Sequence, residues 1–258
     1  MSYAIQWVRS LVFTLTVYVL MALTGLVCLP YALLKPDGAR NTCRWYARAV
    51  MWLARWMIGL RFEFRGEIPT GACMIAAKHQ SFMDVMAIYQ SLERPRFIMK
   101  RILLYAPVLG WFAYRAGCVP VDRGGKGKAV KDMLARVKAG AAQPGQLCIY
   151  PQGTRVAPDA VAPYKKGTAA LYLELAQPVV PVATNVGVFW PKRGIYRKPG
   201  TAVFEFCEPI APGLSGRAFL EQIEAVIETR SNALAREAGL DLPLPAADPP
   251  ATEGPPAA

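Results

Sequence analysis

A single histidine is present among 258 residues, and that scarcity narrows the chemistry more than any abundance does. The six cysteines (Cys28, Cys43, Cys73, Cys118, Cys148, Cys207) are scattered with no C-x-x-C pair. With one imidazole to help them they read neither as a zinc site nor as a disulfide framework, and reduced thiols fit best. No G-x-S-x-G elbow occurs, which removes that class of serine hydrolase, and no G-x-G-x-x-G marks a dinucleotide site. The run DRGGKGKA at 122–129 fails as a phosphate loop, because Asp122 occupies the place of the first glycine and Ala129 follows Lys128. Acidic residues are few: 18 Asp and Glu stand against 30 Lys and Arg, a net charge of +12. The excess calls for an anionic partner, whether nucleic acid, a membrane surface or a phosphorylated substrate. No internal repeat is visible.

What is present begins with an apolar run. Residues 10–34 carry no charge, with LVFTLTVYVLMALTGLVCLPYALL at their heart, which meets the length needed to cross a bilayer. Soluble core helices are seldom apolar all round for so long, so the segment is assigned to lipid. Gly25 and Pro30 can bend it, and both a span and a dip back out fit. Val27 and Leu29 spoil a small-residue cleavage site and argue against a removed signal peptide. In the following RWYARAVMWLARWMIGL, a helical wheel gathers Arg44, Arg48 and Arg55 within roughly 40°, with Trp45, Trp52 and Trp56 on a neighbouring arc. Indoles favour the headgroup level and arginines favour phosphates, so this helix, closing at Gly59, is expected in the interface plane. An ordinary amphipathic core helix is the competing reading. The Lys and Arg excess after the apolar run places the main domain on the cytoplasmic side.

From residue 61 to about 210, short β-forming runs alternate with helical stretches: RFEFRG, CMIAA, RFIM, CVPV, QLCIY, VVPVAT and AVFEFC. This predicts an α/β fold, a mostly parallel central sheet flanked by helices, with chemistry at the carboxyl ends of the strands. Residues 1–60 are read as N-terminal membrane-associated helices and 61–240 as the α/β domain. Ser215 caps a last helix reaching about Gly239, with Phe219, Leu220, Ile223, Val226 and Ile227 inward. Residues 241–258, rich in Pro and Ala, read as a disordered tail.

His79 directly follows the CMIAA strand, where an active-site residue belongs. Asp84 comes five positions later in HQSFMD. Ser81 and Asp84 form an S-x-x-D helix start, which accounts for Asp84 without catalysis but leaves His79 unexplained. In the functional reading Asp84 accepts a hydrogen bond from one ring nitrogen and frees the other as a general base near neutral pH. Ser81 is too near along the chain to serve as the nucleophile, so a substrate hydroxyl takes that part. Arg123 after CVPV, Arg155 in YPQGTR, and Lys165 and Lys166 in YKKG add cations at strand ends.

Taken together, HQSFMD, GCVPVDR, PQGTR and VPV resemble, in order and spacing, the motif blocks of the glycerolipid acyltransferases, and most closely the bacterial 1-acylglycerol-3-phosphate acyltransferases. The likeness spans residues 60–210. It implies that His79 is the base and Asp84 its orienting partner, and that Arg123, Gly153, Thr154 and Arg155 shape the acceptor's phosphate site. By the same resemblance Pro181 lies in the acyl-binding block, and Lys100 matches a lysine near the phosphate. Gln152 stands where the family usually has glutamate and is counted with the substrate-binding residues. The resemblance further implies no cofactor beyond the co-substrate, an acyl thioester of CoA or acyl carrier protein, and no metal. The expected partners are membrane lipids at the cytoplasmic face of the inner membrane, and no nucleic acid; oligomeric state stays open. Competing readings are the same chemistry on another lysophospholipid or a lyso-ornithine lipid, and a non-enzymatic protein that binds anionic membranes.

Overall fold

The structure, a computed structural model, describes residues 2–122, 126–139 and 145–242. Its elements, in chain order, are α1 (Tyr3–Val27), α2 (Leu29–Leu34), α3 (Gly38–Met57), β1 (Leu60–Arg65), β2 (Cys73–Ala77), α4 (Met83–Ser91), β3 (Pro95–Lys100), a 3-10 turn (Arg101–Tyr105) and α5 (Leu109–Arg115). There follow β4 (Val119–Val121), α6 (Lys126–Ala139), β5 (Gln146–Ile149), α7 (Lys166–Leu175), β6 (Val179–Thr184), α8 (Val186–Phe189), β7 (Gly200–Phe206) and α9 (Gly216–Glu237). Every apolar run read as a strand forms one. The strands pair in the order β1-β7-β6-β2-β5-β3-β4, all parallel except for the β6–β7 pair.

Because neighbouring residues in a strand face opposite ways, β2 divides its side chains between two cores. Ile75 and Ala77 join a cluster with α1, α3 and α4, through Phe13, Val17, Val50, Ala54, Met83 and Ile88. Met74 and Ala76 join one built on α6, α7 and α9, through Met133, Val137, Leu171, Phe219, Ile223 and Ile227. Burial of both faces explains why β2 and β6 read as unbroken apolar runs instead of alternating ones. Ser215 accepts a hydrogen bond from Ala218 N and caps α9, as its sequence signature predicts. From Lys126 to Ala139 the chain is helical. Val130, Met133, Leu134 and Val137 recur at helical spacing, and their burial against the second core makes it a helix. The greater part of the predicted tail, residues 243–258, lies outside the described residues.

The N-terminal helices are integral to the first core. Helix α1 is long and apolar enough to cross a membrane, and Val8, Val12, Leu15, Val19, Leu23 and Leu26 point outward along it. It is nevertheless fastened to the domain along its length. Gln6 Nε2 donates to Ile58 O at 3.0 Å and to Arg197 O at 2.8 Å, Arg9 Nε donates to Met57 O at 2.6 Å, and Tyr46 OH donates to Val17 O at 3.1 Å. At the far end Gly25 lies against Val108 with no room for a Cβ, and Arg115 Nη2 donates to Ala32 O at 3.3 Å. Helices α1 and α3 thus run antiparallel, with Ala47, Val50 and Ala54 turned inward and Trp45, Trp52 and Trp56 outward.

Since Phe13 is fully buried and meets Trp190 edge-on at 5.4 Å, α1 and the sheet should unfold together. Phe13→Ala is expected to lower the stability of the whole domain by about 3 kcal/mol, read by denaturant unfolding in detergent. An unchanged midpoint would show that α1 is an independent attachment.

Candidate active site

Five residues separate the buried strand β2 from α4, and this turn is organised around one carboxylate. Asp84, completely buried in the first turn of the helix, uses Oδ2 to accept from His79 Nδ1 at 2.7 Å, from Gln80 N at 2.7 Å and from Ser81 N at 2.9 Å. Ser81 Oγ in turn accepts from Met83 N at 3.2 Å. Asp84 thus satisfies the helix start and contacts the imidazole in one arrangement. Burying an unpaired carboxylate is costly, and three donors on Oδ2 offset part of that cost, while the equally buried Oδ1 has no partner among the described residues.

The bond at Nδ1 leaves Nε2 of a partly exposed ring with no hydrogen bond among the described residues. The ring is fixed from one side by Tyr150, whose ring stacks on it at 3.9 Å and 17°. Tyr150 ends the β5 run, and burial together with the nearby Asp84 carboxylate pushes its phenol well above its ordinary pKa, so it stays neutral. Ser81 is buried with its hydroxyl committed to the helix start, so it is no nucleophile. Burial holds the Cys73 and Cys118 thiols at about 11 and that of Cys148 well above the usual range, so none offers a thiolate near neutrality. The Gln80 and Ser81 N–H groups are taken by Asp84, so neither is free to hold an oxyanion.

Strand pairing brings the remaining sequence-predicted residues to the same end of the sheet. β5 lies beside β2, and the turn after it passes His79 directly, because Val156 N donates to His79 O at 2.8 Å. Gly153 makes this turn at φ 69°, a left-handed conformation that glycine accepts without strain. Arg155, half-buried, has no hydrogen bond or ion pair among the described residues, and Thr154 is exposed beside it. Lys100, exposed at the carboxyl end of β3, is likewise unpaired and sits two strand spacings, roughly 10 Å, from the line of β2. Arg123 lies outside the described residues. Pro181 is embedded in β6 opposite Ala76.

Gln152 goes elsewhere. It is buried, and its amide donates to Ala162 O at 3.3 Å and to Glu228 Oε1 at 3.2 Å, away from the imidazole side of the turn. Glu228, on α9, also accepts from Tyr164 OH at 3.0 Å and from Lys78 Nζ at 2.7 and 2.6 Å. This buried hub ties the residue before His79, the turn after β5 and the loop into α7 to one helix. Lys78, Glu228, Tyr150 and Tyr164 stand outside the sequence motifs HQSFMD, GCVPVDR, PQGTR and VPV. A lysine closing an apolar strand, as in CMIAAK, was the available signal, since a buried cation demands a partner. Among the described residues no group of three or more His, Cys, Asp or Glu gathers in a metal-ligating cluster.

Lys78 is 2% exposed, so its removal strands the Glu228 carboxylate. Lys78→Met is expected to destabilise the domain by about 3 kcal/mol, and Lys78→Met/Glu228→Gln to recover part of that loss, as measured by a double-mutant cycle of unfolding free energies. Additive effects would show that the hub is not a coupled unit.

Comparison with known proteins bears on the family and the fold. A family profile described as Acyltransferase matches residues 60–185. The chain is 30% identical over 205 residues to a 1-acyl-sn-glycerol-3-phosphate acyltransferase of Pseudomonas aeruginosa, covering 76% of this chain and 78% of that protein. It is 28% identical over 202 residues to the human 1-acyl-sn-glycerol-3-phosphate acyltransferase beta, covering 75% and 70% of the two. The crystal structure of PlsC, the 1-acyl-sn-glycerophosphate (LPA) acyltransferase of Thermotoga maritima, superposes with a TM-score of 0.71 at 19% identity, over 88% of this chain and 97% of that one, and so shares the fold. With an Acyltransferase profile over its sheet and a bacterial relative aligned along three quarters of its length, the chain belongs to the glycerolipid acyltransferase family.

Proposed function

We propose that this acyltransferase moves an acyl chain from a thioester, carried by CoA or acyl carrier protein, to the sn-2 hydroxyl of 1-acylglycerol-3-phosphate, yielding phosphatidic acid. The observation that carries the reading is the His79–Asp84 contact at 2.7 Å, which leaves Nε2 as the open basic atom of the ring. Nε2 takes the hydroxyl proton while the oxygen attacks the thioester carbonyl. A tetrahedral adduct forms, the C–S bond breaks, and the departing thiolate receives the proton from the imidazolium. Asp84 holds the ring in the tautomer that accepts at Nε2 and stabilises its cationic form. No covalent enzyme intermediate is needed, in keeping with the buried, neutral thiols and the committed Ser81 hydroxyl.

The acceptor's phosphate is assigned to Arg155 with Lys100, cations free of internal partners at this end of the sheet. Arg123 belongs to the same group by the sequence resemblance. Gln152 supports the acceptor site from behind, through Glu228, so exchanging a carboxylate for its amide leaves the charge facing the acceptor unaltered. The names of the relatives favour lysophosphatidic acid over other lyso-lipids. The outward apolar face of α1 and the tryptophans of α3 favour a protein seated on the bilayer, where acceptor and product reside. Because α1 is fastened at both ends to one domain, it is assigned a course along the membrane surface instead of across it. The excess of Lys and Arg after the apolar run suits the anionic cytoplasmic face of the inner membrane, and the domain is assigned to that face.

With purified protein, lysophosphatidic acid and either thioester, His79→Ala is expected to lower kcat by roughly 100- to 10,000-fold; undiminished turnover would refute the base assignment. Arg155→Gln is expected to raise KM for lysophosphatidic acid by roughly tenfold or more, with a smaller effect on an acceptor lacking the phosphate. An equal loss on both acceptors would remove Arg155 from the phosphate site.

A further inference from the structure

A second cationic feature lies on the first-core side of the sheet, apart from His79. Where α3 runs into β1, an open groove of about 370 Å³ is lined by Arg55, Trp56, Gly59, Arg61, Gly200 and Thr201. Two of these are arginines, none is acidic, and neither Arg55 nor Arg61 forms an ion pair among the described residues. Its floor is bare backbone: Gly200 N donates to Gly59 O at 3.0 Å, and a Cβ on Gly200 would run into the Phe189 ring. The Arg55 guanidinium lies 5.9 Å from the Trp56 ring centre, and that indole is 64% exposed.

The position of the groove matters as much as its charge. β7 runs antiparallel to β6, so the starts of β7 and β1 lie at the same end of the sheet as the carboxyl end of β2. The groove therefore opens at the His79 end, with β6 and β7 between β1 and β2, roughly 14 Å from the line of β2. That is farther than one glycerol backbone reaches, so the groove cannot hold the phosphate of an acceptor whose hydroxyl is at His79. It sits instead at the margin of the outward apolar face, beside exposed Trp52 and Trp56 and close to the start of α1, where Arg9 donates to Trp56 O at 3.3 Å. An indole at headgroup depth beside two unpaired guanidinium forks is complementary to a phosphodiester with one negative charge.

We propose that the Arg55–Arg61 groove seats the headgroup of an anionic bilayer phospholipid and so sets the protein's rotation on the membrane, with the His79 end of the sheet turned toward the lipid surface. The bilayer is the source of the ligand, because the apolar face that would touch lipid tails adjoins the groove. The inference rests on the membrane seating proposed above but not on the chemistry, since binding needs no turnover.

Flotation of the full chain with vesicles tests it, comparing phosphatidylcholine alone with phosphatidylcholine containing phosphatidylglycerol. The wild-type protein and His79→Ala are expected to bind the anionic vesicles more tightly by the same factor. Arg55→Gln/Arg61→Gln should lose roughly thirty-fold of that gain, from about fivefold per arginine, while binding neutral vesicles as before. A charge-matched control, Lys131→Gln/Arg136→Gln on α6, should keep the gain, and thermal unfolding verifies that all variants are folded. Anionic binding that survives in the groove variant, or that falls equally in the control, would overturn the proposal. Loss of the gain on adding inorganic phosphate at constant ionic strength would identify a free-phosphate site and overturn the lipid assignment. Failure of every protein to bind neutral or anionic vesicles would instead count against the membrane seating itself.

Discussion

One carboxylate oxygen, Asp84 Oδ2, holds together the turn on which the proposed chemistry depends. Three N–H donors converge on it within 2.9 Å, and because the residue is fully buried no water substitutes for them. A buried anion tolerates no slack in its donors, so the backbone at Gln80 and Ser81, the start of α4 and the imidazole are set by a single electrostatic demand. The histidine owes its orientation to the same oxygen that starts the helix, and the spacing of HQSFMD follows. The acid must lie in the first turn of the helix to reach back to a ring in the preceding loop. Tyr150 closes the other side of the ring with a neutral aromatic plate.

Around this turn the fold gathers cations without spending them on internal partners. Parallel pairing of β2, β5 and β3 puts His79, the turn through Arg155, and Lys100 at one end of the sheet. The acidic residues that neutralise other cations are occupied elsewhere: Glu205 with Arg230, Glu237 with Arg65, and Glu228 with Lys78 beneath the site. The net charge of +12 is thus distributed with a purpose at this end of the molecule. It leaves Arg155 and Lys100 at the His79 end of the sheet, and Arg55 and Arg61 at the rim of the apolar face, without ion-pair partners among the described residues. Both sets look toward the same sheet end, so a bilayer meeting the α1–α3 face would meet the His79 turn as well.

The strands were legible in the sequence because β2 and β6 are buried on both faces and β1 and β7 carry dense aromatic and β-branched side chains. The strand-terminal placement of His79 follows from CMIAA alone. The course of α1 was less so: an outward face of Val8, Val12 and Leu15 reads the same whether lipid surrounds the helix or covers one side. Only Gln6 and Ser10, polar residues meeting distant backbone, and Gly25, pressed against the Val108 side chain, disclose that the other side is docked. The part played by Gln152 was hidden for a different reason. Its partner Glu228 is 76 residues away on α9, and local pattern carries no information about such a meeting. Lys78 was hidden in the same way, its charge satisfied by that same distant residue.

The single histidine makes the central claim open to direct observation, because an imidazole-labelled sample gives the nitrogen signals of one ring. In nitrogen-15 NMR of the wild-type protein, the neutral ring is expected to carry its proton on Nδ1 and to leave Nε2 bare, and Asp84→Asn should disturb that assignment. A neutral ring protonated at Nε2 in the wild-type protein, unaffected by Asp84→Asn, would contradict the account.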